Sequence, residues 1–261
     1  MIALIPARKG SKRIPGKNTK LLAGHPLIAY TIQTAIQSQV FDQVWVCADD
    51  LNLQGLAQAM GACFFERAEA DDRQTDAEWV HEVLTALTEL EMRPRDFAIL
   101  RPTSPFRTPA MLQRAYKTFY SYLSADSVRA VEPCSQHPGK MWTWEGRSYP
   151  IKPLLTGKRE DGTPWHSCPT QTLPTYYVQN ASLDMAWTRN IEVFGTIHGQ
   201  SVVPFFCEGH EGFDLNEPRD WREAEYLLAS GAAYLPEIPV SPVPTVAEGQ
   251  QAADPGGTVA G

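Results

Sequence analysis

Six cations precede the first carboxylate of this chain. Arg8, Lys9, Lys12, Arg13, Lys17 and Lys20 all stand before Asp42, and Gly10, Pro15 and Gly16 are interleaved among them, directly after the apolar run MIALIPA. A basic, glycine-containing loop after a buried strand suits a polyphosphate, because backbone N–H groups and side-chain cations can converge there on negative oxygens. A solvated basic turn is the alternative. The stretch GSKRIPGKN nearly spells a P-loop. However, five residues rather than four separate Gly10 from Gly16, and Asn18 follows Lys17 where that motif needs Ser or Thr. Pro15 also removes one backbone N–H from a cradle built on such groups. The spacing therefore argues for a different way of holding phosphates.

Carboxylates that could hold a metal beside such a loop are Asp49, Asp50 and Asp214. Magnesium takes one or two carboxylates and completes its shell with phosphate oxygens and water. For Asp50 the competing role is to cap the helix that follows. A third stretch, RPTSPFRT from Arg101 to Thr108, combines two prolines that fix a turn with the hydroxyls of Thr103 and Ser104 and the charges of Arg101 and Arg107. Thr108 and Pro109 read as the cap and first residue of a helix.

The elements that must position these groups follow from apolar periodicity. MIALIPA, QVWVCA, ACFF, DFAIL and DSVRAVEP read as buried strands, and SLDMAWT and SVVPFF as later ones. Helices are expected over Pro26–Ser38, Leu51–Met60, Ala77–Leu90 and Pro218–Ala229. A further one carries Leu112, Ala115, Tyr116, Phe119 and Leu123 on its inner face. Strands alternating with helices predict an α/β fold, an open and mostly parallel sheet with helices on both faces. Ligands bind such sheets beyond the carboxyl ends of the strands, which gathers the basic loop, Asp49–Asp50 and RPTSPFR on one rim. Residues 134–180, rich in Pro, Gly, Trp and Tyr, break the alternation and read as an excursion that covers a substrate or makes a subunit contact. Residues 1–235 are expected to form one domain, and 236–261, with no aromatic after Tyr234, a disordered tail.

Bulk properties narrow the classes. The 261 residues carry a net charge of −7, which disfavours a general nucleic-acid surface. The first 41 residues carry +6 and the other 220 carry −13, a local positive site on an acidic chain. Five scattered cysteines without a CxxC pair suit reduced thiols rather than a disulfide framework or a zinc site. No signal peptide and no membrane span are expected, and the predicted location is the cytoplasm.

The segments IPARKGSKRIPGKN, GHPLIAYTI, FDQVWVCADD, RPTSPFRT, HPGKMW and FDLNEPRDW, in this order over residues 1 to 230, resemble one family. It is that of the cytidylyltransferases that activate sialic-type nine-carbon acids, the CMP-N-acetylneuraminate, legionaminate and pseudaminate synthetases. The resemblance implies a Rossmann-like nucleotidyltransferase sheet of the GT-A-like kind with a small protruding dimerisation element, and a homodimer. It implies a reaction of CTP with a sugar acid that gives a CMP-sugar and pyrophosphate with Mg²⁺. Ala7, Arg8, Gly10, Ser11, Lys12, Lys17 and Asn18 would hold the nucleotide, with Arg67 and Ala77 by its base and ribose. Arg101, Thr103, Ser104, Lys140 and Asn180 would face the sugar acid. Asp214 and Asn216 would bind the metal, and Arg8, Lys12, Lys17 and Asp214 would carry catalysis. The chain departs from the family pattern at Arg101, where Gln is usual, at Asn216, where a second Asp is usual, and at Ala181, where Gly is common. Arg101 suggests an acceptor with another acidic group. A same-fold enzyme for a different sugar acid or a phosphonate, or a non-catalytic nucleotide-binding homologue, stays open at this point.

Overall fold

A computed structural model describes residues 1–68 and 73–239. Its centre is a seven-stranded sheet formed by β1 (Ile2–Ala7), β4 (Gln43–Ala48), β5 (Cys63–Glu66), β6 (Asp96–Ile99), β7 (Ser127–Pro133), β10 (Tyr177–Trp187) and β11 (Val202–Phe206). The spatial order is β11-β7-β10-β6-β1-β4-β5. All pairings are parallel except the two made by β10, which runs against β6 and β7. The mostly parallel α/β sheet expected from the alternation is thus the observed one.

Strands covered on both faces can be apolar at every position. In β1, Ala3, Ile5 and Ala7 join one buried cluster, whereas Ile2 and Leu4 join another. The two-residue period repeats in β4, with Val44, Val46 and Ala48 on the first face and Trp45 and Cys47 on the second. Helices α1 (Leu27–Ser38), α2 (Asn52–Ala59) and α4 (Pro109–Ser121) cover the first face. Helices α3 (Asp76–Glu89) and α5 (Arg189–Phe194) cover the second. A third cluster joins Ile14 and Leu22 of the N-terminal segment to Phe106, Leu215 and Trp221, the last on α6 (Pro218–Ala229). Short hairpins β2 (Leu21–Leu22) with β3 (His25–Pro26) and β8 (Trp142–Thr143) with β9 (Lys152–Pro153) complete the described elements.

Several boundaries differ from the sequence reading. Pro26 caps α1 rather than opening it; with ψ near 137° it is still extended. Leu90 is the C-cap of α3 and Leu123 follows Tyr122, the C-cap of α4, so both lie past the helical stripe and their side chains are exposed. α5 is six residues long, too short for periodicity to reveal. The excursion contains the β8–β9 hairpin and single 3₁₀ turns at 138–140, 165–167 and 170–172, and the chain rejoins the sheet with β10. Of the expected tail, residues 240–261 lie outside the described residues. No helix among the described residues is long and apolar enough to cross a membrane.

The exposure contrast on α3 is testable. Leu87 is fully buried and Leu90 is not. Leu87→Ala should cost about 2–5 kcal/mol in urea unfolding, and Leu90→Ala no more than about 0.5 kcal/mol. Equal losses would mean that the helix end is misplaced.

Candidate active site

A pocket of about 390 Å³ opens at the carboxyl ends of β1, β5 and β6. Its walls include Arg8, Gly10, Ser11, Lys12, Arg13, Lys17 and Asn18 from the loop, Arg67 after β5, Asp76 and Trp79 on α3, and Arg101 to Thr103 after β6. The expected gathering of loop and RPTSPFR turn on one rim is therefore present. Two larger clefts, of about 720 and 520 Å³, lie around Pro94 and Arg95 at the opposite strand ends and gather none of these residues.

The loop is shaped by its own bonds. The Asn18 side chain donates to the Arg8 carbonyl at 3.1 Å, closing the loop across its base. Gly16 takes φ of +61°, and its carbonyl accepts from the amides of Thr19 and Lys20. That left-handed backbone favours glycine over any residue with a Cβ. Ile14 anchors the loop in the third cluster while its cationic neighbours face out. Ala7 ends β1 in register with Ala48 as a buried small side chain and is not part of the pocket lining.

A second segment meets the loop. The Leu215 N–H donates to the Thr103 carbonyl at 2.8 Å, and the Leu215 carbonyl accepts from Lys17 Nζ at 2.9 Å. Arg13 donates to Asn216 Oδ1 at 3.2 Å. Asn216 Nδ2 donates to Asp214 Oδ2, while Asp214 Oδ1 is buried with no hydrogen-bond partner. Burial pushes the Lys17 ammonium below its ordinary value; Asp214 opposes that shift and Arg13 adds to it. The Asp214 segment therefore meets loop and turn beside the pocket that those two line, although it lies some 200 residues from the loop in sequence. Asn216 thus has both ends of its amide engaged, its oxygen by Arg13 and its nitrogen by Asp214.

The remaining predicted residues fall into three groups. Arg67 is buried under the pocket, with its guanidinium over the Trp79 ring at 4.8 Å and bonded to the Gln74 side chain. Its Nε has no partner, and burial, with Arg8 nearby, holds it below its ordinary value. Ser104 is buried behind Thr103 with an unpartnered hydroxyl, and Ala77 packs behind Asp76 on the second cluster. Lys140 and Asn180 are not brought into the lining. Lys140 Nζ donates to the carbonyls of His166 and Cys168 inside the excursion. Asn180 sits at the register shift of β10, where its side-chain carbonyl accepts from Ser182 and its amide contacts Glu132 and Cys207. Asp49 and Asp50 are also committed: Asp49 accepts the Lys9 N–H at 2.7 Å, and Asp50 accepts the amide at the start of α2 at 3.1 Å.

Arg101, expected to face the acceptor, lines the pocket with its charge engaged inside the protein. Its two terminal nitrogens donate to Asp184, at 2.9 Å, and to Asp76. Burial disfavours the cation, but the two carboxylates outweigh it and hold Arg101 above its ordinary value. The guanidinium is matched within the protein and brings no surplus charge to the pocket. Arg107, by contrast, is fully buried among neutral acceptors, the carbonyls of Ser182 and Arg101 and the hydroxyl of Thr31. Burial brings it down to about 9, which still leaves it protonated at neutral pH. It ties the RPTSPFR turn to α1 and β10.

With this geometry in place, comparisons with known proteins decide the class. A cytidylyltransferase family profile matches residues 2–139. A CMP-N,N'-diacetyllegionaminic acid synthase of Legionella pneumophila is 31% identical over 233 residues, covering 87% of this chain and 96% of that protein. The chain belongs to the cytidylyltransferase family. It is thereby a nucleotidyltransferase. An N-acylneuraminate cytidylyltransferase of Escherichia coli is 38% identical over 141 residues, which is 52% of this chain and 33% of that longer relative. The fold also matches a CMP:2-keto-3-deoxy-manno-octonic acid synthetase solved in complex with CTP. There the TM-score is 0.62 at 14% identity, over 88% of this chain and 98% of the other, a likeness of fold alone. Pocket-lining residues outside the expected site set are Arg13, named only among the loop cations, Asp76 and Trp79. Asp76 had a legible signal, an acidic residue in the first turn of a helix already assigned to the nucleotide side.

Proposed function

We propose that this cytidylyltransferase joins CTP to a sialic-type nonulosonic acid, with the acid's anomeric hydroxyl attacking the α-phosphorus and pyrophosphate leaving. The observation that carries the reading is the contact of Lys17 and Arg13, both in the pocket wall, with the Asp214 segment. The full-length similarity to the legionaminic acid synthase supports the acceptor class. One P–O bond forms and one breaks, so most of the catalysis is positioning and charge stabilisation. Arg8, Lys12, Arg13 and Lys17 meet the triphosphate, and Lys17, already drawn to a backbone carbonyl, is held rigidly enough to face a leaving oxygen. Arg67 and Trp79 lie on the base side, and Thr103 on the side of the acceptor.

The reading includes Mg²⁺. Asp214 Oδ1, buried and unpartnered, is an oxygen of the type that ion takes. No cluster of three or more His, Cys, Asp or Glu among the described residues forms a cage of its own, which suits an ion completed by phosphate oxygens. When bound, Mg²⁺ supplies neutralisation of the phosphate charge. Asn216 contributes to this end by orienting Asp214 through its amide. The five free thiols suit the reducing cytoplasm.

The reading extends to a homodimer through the excursion. Trp142, Trp144, Tyr149, Ile151 and Leu154 are all about half exposed on or beside the β8–β9 hairpin, more aromatic surface than a solvated hairpin needs. A second copy of this chain is the occupant proposed.

Pyrophosphate release with CTP, Mg²⁺ and a panel of nonulosonic acids tests the reaction. Turnover is expected with at least one acid, and Lys17→Ala should lower kcat by about 100-fold or more. Near-normal rates in that variant would remove the loop from catalysis. Sedimentation should give a dimer, and Trp144→Glu with Ile151→Glu a monomer. A monomer before substitution, or a dimer unchanged after it, would overturn the interface.

A further inference from the structure

The cleft of about 720 Å³ beside the amino end of β6 takes no part in the chemistry proposed above. Its charged lining is Arg93, Arg95 and Arg189 against a single carboxylate, Glu192. That excess of cations runs against the chain as a whole, which carries −7. Elsewhere arginine charge is matched: Arg101, Arg114, Arg129 and Arg159 each reach a carboxylate. Among the described residues Arg93 and Arg95 reach none, and Arg189 stands 3.7 Å from Asp126. The charge of Asp126 is already drawn on, because its Oδ2 accepts the amides of Gln200 and Ser201 at 2.8 and 2.9 Å.

Two of these arginines are held in place. Arg95 and Arg189 set their guanidinium carbons over the same Trp187 ring, 5.6 and 5.9 Å from its centroid. The ring itself is fixed. Its Nε1 donates to the Ala125 carbonyl at 2.9 Å, and Phe119 packs on it with centroids 4.6 Å apart. The backbones that carry the two arginines are also joined. The Thr188 N–H donates to the Arg95 carbonyl at 2.9 Å, and the Thr188 hydroxyl to the Pro94 carbonyl at 2.7 Å. A guanidinium over an aromatic face is attracted to it and keeps its N–H groups for other acceptors. Two such cations on one ring repel each other, and an anion that accepts from both removes that repulsion. Ordering them beforehand lowers what binding costs in side-chain freedom.

We propose that this cleft binds a small anion bearing at least two phosphate or carboxylate groups, held by the guanidiniums of Arg93, Arg95 and Arg189. Phosphate and carboxylate share the geometry that a guanidinium fork matches, and the cleft has the volume of a small-molecule site. Three guanidiniums against one carboxylate exceed what a single acidic group can use. The cleft lies at the strand ends opposite the basic loop, so its ligand is separate from the phosphates of the reaction.

The test titrates inorganic pyrophosphate and citrate, one probe for each kind of acidic group, by calorimetry at fixed low ionic strength. Lys17→Ala protein is used, so that the basic loop competes less for the probe. Saturable binding of at least one probe is expected, with a Kd below about 1 mM. Adding Arg95→Gln with Arg189→Gln should weaken it about 10- to 100-fold. Thermal unfolding shows whether that variant is folded. Arg93→Gln, which leaves both ring contacts in place, gives a second reading and should weaken binding about 3- to 10-fold. Lys117→Gln with Arg222→Gln removes equal charge from exposed positions on α4 and α6, and should leave the affinity within about twofold. The probe that binds more tightly identifies the acidic group. Binding of neither probe, an affinity that survives the arginine substitutions, or an equal loss in the Lys117 and Arg222 control overturns the inference.

Discussion

Leu215 holds the active site together. Its side chain is fully buried with Ile14 of the basic loop and Phe106 of the RPTSPFR turn. Its N–H reaches the carbonyl of Thr103 in that turn, and its carbonyl receives Lys17 from the loop. One residue thus fixes three segments from distant parts of the chain by an apolar contact and two hydrogen bonds. Its neighbour Asp214 is carried into place as a consequence. Burial of apolar surface supplies the driving force, and the hydrogen bonds supply direction. The Phe106–Phe213 ring contact, with centroids 5.3 Å apart, reinforces the same junction.

Around that junction the protein arranges charge in two ways. The loop concentrates cations, and burial, with Arg13 nearby, holds Lys17 below its ordinary value against the pull of Asp214. A polyanion relieves that cost when it binds, so the imbalance is a means of binding. The opposite wall is balanced, with each arginine matched to a carboxylate, which makes it rigid and selective in place of attractive. Unpartnered buried atoms mark the border between the two, namely Arg67 Nε, Ser104 Oγ and Asp214 Oδ1.

Much of this was legible in the sequence because strand burial is strictly alternating or continuous. QVWVCA is β4 residue for residue, and MIALIPA contains all of β1. The rim rule for parallel sheets then brought loop and turn together without any knowledge of contacts. Pairing of charges was not legible. Arg101 reads as a free cation in sequence because its partners, Asp76 and Asp184, lie 25 and 83 residues away. The local bond of Asp50 at the start of α2 could be anticipated because its partner, the Asn52 amide, is two residues on. Local hydrogen bonds are written in spacing, whereas ion pairs across a sheet depend on topology. For the same reason Lys140, assigned to the acceptor by resemblance, could not be seen to turn toward the carbonyls of its own excursion.

The most direct measurement is a crystal structure of the protein with CTP and magnesium. The account predicts a triphosphate lying across the loop, with Lys17 and Arg8 on its oxygens and a metal ion against Asp214 Oδ1. A triphosphate bound away from Lys17, or a metal ion held without Asp214, would contradict it.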